Sequence, residues 1–271
     1  MLTFGEMYPN KRPFNKSNFK DRDSSNQRPK QQGIYGIHAI TEAVLAGKEL
    51  NKVIIQKGEA GPLLQSLLKL LREHDIPTQY VPRESNLFPS TKNHQGVVAF
   101  LSPISYHKLE NIIPQLFEEG KVPFILLLDR VTDVRNFGAI ARSAYCAGVH
   151  AIVIPDQGSA QVNDDAIKTS AGALHHLPVC REKNMKTVME LLNQSGITTV
   201  GCTEKGNGLL HQLDLTVPVA VIMGNEEVGI SDDIIKRCAH LAKIPLEFGV
   251  QSLNVSVAAG IACYEVVRQR L

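Results

Sequence analysis

FILLLDRVTDVRNFGAIARSAYCAGVHAIVIP, residues 124–155, holds two apolar runs separated by a polar turn and a segment of helical period. Neither FILLL nor AIVIP alternates with polar residues, which suits strands covered on both faces, as in a parallel sheet. The spacing predicts a strand over 124–129, a helix over 138–147 and a second strand over 151–155. Towards the C-terminus the same alternation continues, with strands at 198–202 (TTVGC) and 219–224 (VAVIMG) and a short one at 242–245 (AKIP). Helices are expected near 163–173, 184–195 and 231–239, and SLNVSVAAGIACYEVVRQRL (252–271) closes the chain as a long helix. Strand and helix in regular succession predict an α/β domain with a parallel sheet over 124–271.

Towards the N-terminus lies a second, smaller α/β unit of about 70 residues, expected over 34–105. Ile37, Ile40, Ala43, Val44 and Ala46 share a helical stripe that Gly47 ends; VIIQ (53–56) reads as a strand, 63–74 as a helix, TQYV (78–81) and 93–102 as strands. Leu63, Leu64, Leu67, Leu68, Leu70 and Leu71 of that helix are expected in its core. Residues 106–123 read as a connector holding one short helix. No internal repeat is present in the 271 residues.

Composition bounds the function. Hydrophobic residues make up 43% and charged ones 21%, with no apolar run near the ~20 residues needed to span a bilayer and no secretory signal at the N-terminus. Five cysteines without a C-x-x-C pair suit a reducing cytoplasm better than a disulfide scaffold or zinc cluster. Residues 1–32 hold seven Lys/Arg against three Asp/Glu, so a chain of net +2 carries +4 in its leader and about −2 elsewhere. This Pro-, Asn- and Gln-rich leader, 1–33, is expected to be a disordered basic arm, either a solvated tail or a weak, sequence-independent attractor of nucleic-acid phosphate.

A parallel α/β domain invites a nucleotide reading, yet no G-x-G-x-x-G triplet or G-x-x-x-x-G-K-[ST] loop occurs. The turn after the first strand is instead polar and guanidinium-rich, running from Asp129 to Arg142. Gly158-Ser159-Ala160 lacks the second glycine of a nucleophile elbow, Asp164-Asp165 complement a helix dipole, and His175-His176 have no metal-binding partners, so no metal is expected.

The residues of this turn resemble a specific motif. Asn136-Phe137-Gly138-Ala139-Ile140-Ala141-Arg142 is similar to the N-x-G-x-x-x-R motif of the SpoU family of RNA ribose 2′-O-methyltransferases, in the SPOUT superfamily. Ile222-Met223-Gly224-Asn225-Glu226-Glu227-Val228-Gly229 resembles its second motif, with Asn225, Glu227 and Val228 at variable positions. Ile244-Pro245-Leu246 with Ser252-Leu253-Asn254-Val255-Ser256-Val257-Ala258 resembles the third. YGIHAI and HQGVVA (94–99) look like the ribosomal-protein-like substrate-binding domain of the RlmB/TrmH-group-3 subfamily.

The resemblance implies a C-terminal trefoil knot binding S-adenosylmethionine, a homodimer, and as substrate a guanosine of 23S ribosomal RNA. It implies catalytic roles for Asn136, Arg142, Glu226, Ser252 and Asn254, and backbone contacts to the adenosine at Gly224, Ile244 and Leu253. Read from the residues alone, Asn136 can simply cap its helix, Glu226 can be a solvated loop acid or the partner of an arginine or ribose hydroxyl, and Ser252 and Asn254 can be N-caps. Arg142, always protonated, suits electrostatic stabilisation of a developing alkoxide better than proton abstraction. It is expected one turn inside its helix, and Gly224 is expected to let the backbone approach the ligand. A transfer-RNA methyltransferase of the same family and a non-catalytic ribosome-assembly factor are the rival readings.

Overall fold

The computed structural model describes residues 33–88, 92–247 and 252–271; the leader, apart from Gly33, lies outside the described residues. The smaller part is a four-stranded sheet of β1 (Gly33–Tyr35), β2 (Leu50–Gln56), β3 (Thr78–Val81) and β4 (Val97–Leu101) in the order β1-β4-β2-β3. β4 is antiparallel to both neighbours, while β2 and β3 are parallel and are joined by helix α2 (Pro62–Glu73). Helix α1 (Ile37–Leu45) ends at Ala46, and Gly47 follows at φ 70°, the left-handed turn that a glycine adopts at low cost. Leu64, Leu67 and Leu71 of α2 are buried beside Ile40, Val53 and Ile55; Leu63, expected in the core, is 52% exposed because a helix cannot turn adjacent leucines to one side.

The larger part is an eight-stranded sheet in the order β10-β12-β9-β11-β6-β7-β8-β5, parallel at every pairing. Its strands are β5 (Tyr106–His107), β6 (Phe124–Leu128), β7 (Ala151–Pro155), β8 (Val179–Glu182), β9 (Thr198–Cys202), β10 (Gly208–Leu209), β11 (Val219–Met223) and β12 (His240–Lys243). The apolar run of β6 serves two cores. Phe124, Leu126 and Leu128 pack with α4 (Val134–Cys146) and α8 (Val255–Arg270) on one face. Ile125 and Leu127 pack with α3 (Leu109–Glu118) and α6 (Met185–Gln194) on the other. Two-sided burial explains the missing polar alternation.

Several expectations are corrected. Residues 106–123 are no mere connector, since β5 extends the sheet edge beside β8 and α3 buries Leu109, Ile113 and Leu116 against it. Strand β8 was not foreseen: in Val-Cys-Arg-Glu the two polar residues interrupt the apolar signal, although Val179 and Cys180 are fully buried. β12 lies two residues earlier than expected, and the helix foreseen over 231–239 is only α7 (Asp232–Ile235). The helix foreseen over 163–173 divides into α5 (Asp164–Thr169) and a 3-10 turn at Ala173–His175. No described helix is long and apolar enough to cross a membrane.

Candidate active site

Because the strands of the large sheet are parallel, their carboxyl ends share one edge, where open α/β sheets bind ligands. At this edge Leu128 of β6 stands beside Met223 of β11, so the turns that follow them, 129–133 and 224–231, leave side by side. Asp129, 3% exposed, joins them: its backbone N–H donates to the Met223 carbonyl at 2.8 Å and its Oδ2 accepts from the Ser231 N–H at 2.7 Å. Asn225 closes the second turn, bridging to Gly229 through backbone bonds of 3.2 and 2.8 Å while its Nδ2 donates to the Arg130 carbonyl at 3.0 Å. Both residues lie in the matched motifs or beside them, but their bracing role emerges only from these contacts. Arg130 was also unforeseen: it holds φ 58°, uncommon for a residue other than glycine, and its Nε lies 3.5 Å from Asp129 Oδ1 in an ion pair, with no hydrogen-bond partner among the described residues.

Helix α4 begins at Val134, four residues before the expected start, because Asp133 caps it by accepting the Asn136 N–H at 2.7 Å. Asn136 is therefore not the cap, and its side chain is left for another purpose. Its Nδ2 donates to Glu226 Oε1 at 2.9 Å and its Oδ1 accepts from Asn254 Nδ2 at 3.1 Å. Glu226 Oε1 also accepts from Asn254 Nδ2 at 2.7 Å and from the Val255 N–H at 3.2 Å. Three residues from three distant segments thus form one polar cluster, with the carboxylate against the N-terminus of α8, where the helix dipole favours a negative charge. Asn254 also caps that helix, its Oδ1 accepting the Ser256 N–H at 2.9 Å, so here capping and clustering coexist. Ser252 lies two residues before the cap, outside the helix.

Beside the cluster opens a cleft of about 480 Å³ over the ends of β9, β11 and β12. Gly224, Ile244 and Leu253 all line it, together with Glu226 and Ser252. Cys202 lies in its wall, but burial, followed by the neighbouring thiols, pushes that group up to about 12, so it remains an un-ionised thiol at neutral pH.

Two expectations change here. A Cβ on Gly224 would meet the Gly229 carbon and the Ile230 nitrogen at 2.2 Å, so the close approach this glycine permits is that of the chain to itself. Gly224→Ala is therefore expected to destabilise the ligand-free protein by about 1–3 kcal/mol, visible as a lowered Tm. An unchanged melt with ligand affinity alone reduced would restore the direct-contact role. Gly138 has a comparable constraint, since its Cβ would lie 2.8 Å from the Ala166 carbonyl where α4 crosses α5.

Arg142 is not brought into the cluster. With α4 starting at Val134, it stands more than two turns inside the helix, about 9 Å along the axis from Asn136, on an exposed face. It makes no hydrogen bond or ion pair within the described residues. His176 stacks on Tyr145 with ring centroids 5.8 Å apart.

Comparison with known proteins shows the family. Residues 123–264 match the SpoU rRNA Methylase family, and residues 34–107 match a domain described as RNA 2′-O ribose methyltransferase substrate binding. The chain is 33% identical over 237 residues to proteins of Staphylococcus saprophyticus and Bacillus subtilis named as TrmH family tRNA/rRNA methyltransferases, covering 88% of this chain and 95% of each relative. Among solved structures it is similar to the SpoU methyltransferase AviRb of Streptomyces viridochromogenes in complex with the cofactor AdoMet, at 26% identity and a TM-score of 0.56, over 88% of this chain and 90% of that one. The A. aeolicus TrmH/SpoU tRNA modifying enzyme is 27% identical with a TM-score of 0.51, but matches only 60% of this chain and 84% of its own.

Proposed function

The chain belongs to the SpoU rRNA methylase family, and from that membership we propose that it transfers the methyl group of S-adenosylmethionine to a ribose 2′-hydroxyl of structured RNA, a guanosine of 23S ribosomal RNA. The observation that carries the reading is the Asn136–Glu226–Asn254 cluster at the mouth of the cleft lined by Gly224, Ile244 and Leu253. That cleft fits the cofactor: its volume lies in the range of small-molecule sites, and Met223, Ile244, Leu246 and Leu253 give apolar walls for an adenosine next to open backbone groups. When bound, the cofactor supplies an electrophilic methyl on a sulfonium.

The protein's part is to position the ribose and favour its alkoxide. Glu226 Oε1 is saturated by three donors, whereas Oε2 has no partner within the described residues and is free to accept from a ribose hydroxyl. Asn136 and Asn254 hold that carboxylate in one orientation. Arg142, which makes no hydrogen bond to the cluster among the described residues, shares an exposed helix face with Tyr145, three residues on.

That face supports the dimer. Val257, Ile261 and Tyr264 of α8, spaced as one helical stripe, are 50%, 41% and 66% exposed, and Tyr145 of α4, the helix that α8 packs against, is 47% exposed. Four large apolar side chains on adjoining helices are the kind of patch that a second copy covers. We place Arg142 at this interface, where its guanidinium serves the cleft of the other protomer. Ile261→Glu is expected to yield monomers in sedimentation, and a variant that stays dimeric would move the interface elsewhere.

We assign 34–105 to RNA capture, as a ribosomal-protein-like domain, and 124–271 to methyl transfer. The tRNA modifying enzyme that matches only 60% of the chain supports ribosomal over transfer RNA as substrate. The crossing of the chain from β11 to β12 outside β9, and the return of α8 onto α4 and β11, support the trefoil knot. Five unpaired thiols support a cytoplasmic location. Mapping 2′-O-methyl sites in total RNA with and without the protein tests the reading: loss of one ribosomal guanosine mark is expected, loss of a transfer-RNA mark selects the rival substrate, and no change overturns the activity.

A further inference from the structure

The two turns that leave the ends of β6 and β11 are rich in acid. Asp129, Asp133, Glu226 and Glu227 lie in 129–133 and 224–231, and Arg130 is the single Lys or Arg in either turn. A polyanionic strand approaching Glu226 meets carboxylates, and one cation set among them offsets that repulsion.

Arg130 is tied into both turns. Its carbonyl accepts from Asn225 Nδ2 at 3.0 Å, its Nη2 donates to the Gly229 carbonyl at 3.5 Å, and its Nε lies 3.5 Å from Asp129 Oδ1. Asp129 is buried and its Oδ2 is occupied by the Ser231 N–H, so it orients the guanidinium without closing a hydrogen bond to it. The donors left over form an open fork. Nε is sealed from solvent, whereas Nη1 is not sealed and has no hydrogen bond among the described residues, and Nη2 keeps a second hydrogen besides the one it gives to Gly229. With the side chain 43% exposed, these nitrogens can be reached from outside. Paired guanidinium N–H groups of this kind take two oxygens of one oxyanion.

The backbone is a second, independent sign. Arg130 sits at φ 58°, in the left-handed region that glycine enters at low cost and arginine does not. A glycine here would keep the carbonyl that Asn225 uses and relieve the strain. What the arginine adds to the turn, against that strain, is its guanidinium.

We propose that Arg130 grips a phosphodiester next to the methylated ribose, its Nη1 and Nη2 donating to the two non-bridging oxygens of one phosphate. Position identifies the ligand. Arg130 does not line the cofactor cleft, which opens over the ends of β9, β11 and β12, while β6 and its turn flank β11 on the other side. An oxyanion on that side is an RNA phosphate rather than the carboxylate of S-adenosylmethionine. Gly229 is three residues from Glu226 in a turn closed by the Asn225–Gly229 bridge, so their Cα atoms stand at most about 11 Å apart. A ribose with its 2′-hydroxyl at Glu226 Oε2 carries a phosphate on either side, and that span puts one of them within reach of the guanidinium. Because every nucleotide has a phosphate, the contact sets the orientation of the strand and reads no sequence. The assignment rests on the RNA methyltransferase reading above.

The test is filter binding of an unmethylated 23S ribosomal RNA transcript to the full chain across a salt series, with wild type, Arg130→Gly and Arg130→Lys. Arg130→Gly is expected to melt at the wild-type temperature or higher and to bind S-adenosylmethionine unchanged. Its RNA affinity should fall about tenfold, the low end for a hydrogen bond to a charged group. The plot of log affinity against log salt should become shallower by about 0.7–0.9, the slope of one phosphate contact. Arg130→Lys is expected to restore the slope but only part of the affinity, since an ammonium supplies charge without the fork. Unchanged RNA affinity and slope in Arg130→Gly would overturn the proposal, as would weaker binding with the slope intact. It is equally overturned by a lowered melting temperature with loss of cofactor affinity, which would make Arg130 a brace of the turns, and by loss of cofactor affinity alone, which would give the fork to the methionine carboxylate. Methylation assays on the same transcript separate the two readings. If wild type shows the expected dependence on Arg130 but methylates nothing, the methyltransferase reading alone fails; if it methylates and Arg130→Gly keeps the slope, the phosphate clamp alone fails. A wild type without affinity for the transcript overturns both.

Discussion

Arg142→Ala is expected to fold, dimerise and bind S-adenosylmethionine normally while its single-turnover methylation rate falls at least about a hundredfold, the scale for losing one group that stabilises developing oxyanion charge. The fold should tolerate the change because Arg142 is exposed on α4 and holds no contact that the core uses. A rate within about threefold of wild type would remove the arginine from the chemistry, since such a loss is far below that scale. Arg142→Lys separates charge from shape: recovery supports a point charge, and its absence supports the planar fork of the guanidinium. The distance from Asn136 makes a further outcome decisive. If Arg142 serves the opposite cleft, mixing Arg142→Ala with Glu226→Ala protein should regenerate about a quarter of wild-type activity, since random exchange gives half mixed dimers with one intact site each. No recovery on mixing would place Arg142 in its own chain's site.

Glu226→Ala carries the second large effect. One carboxylate oxygen accepts from Asn136, Asn254 and the Val255 N–H, so its removal releases the turn after β11 from both α4 and the start of α8. Activity is expected to fall about a hundredfold or more, the scale for losing a group that positions the reacting ribose in the role proposed for Glu226. Stability should change far less, by under about 1 kcal/mol, since Glu226 is exposed and water replaces part of what it provides. Glu226→Gln keeps an acceptor of the same length without the charge. Retention of most activity would show that orientation matters more than charge, whereas loss equal to that of alanine would show the reverse. A Glu226→Ala protein of undiminished rate in single-turnover assays would sink the role given to the cluster.

The parts of the chain that were legible were those where one local signal was undisturbed. FILLL, AIVIP, TTVGC and VAVIM became β6, β7, β9 and β11 within a residue, because a short run without charged residues is the pattern that burial on both faces of a sheet requires. The small β5 and β10, two residues each, had no room for a pattern. β8 was hidden because Arg181 and Glu182 take tertiary roles: one lies over Tyr106, and the other accepts the Leu109 N–H at 2.9 Å. Asp133 rather than Asn136 as the cap of α4 was a choice among several polar residues, which only the path of the backbone settles.

For the site, sequence by itself determined the alphabet: an α/β sheet with ligand-bearing turns, and Asn136, Glu226 and Asn254 in three ordered motifs with Gly224, Ile244 and Leu253 beside them. Tertiary structure alone decided which of these meet. Asn136 and Glu226 are 90 residues apart, and Glu226 and Asn254 are 28 apart, yet parallel pairing of β6 with β11 and the return of α8 put them within one hydrogen-bonded cluster. The same geometry left Arg142 outside it and turned Gly224 towards its own chain. Local periodicity reports which face of an element is buried; contacts between elements depend on register and crossing, which no short stretch of chain encodes.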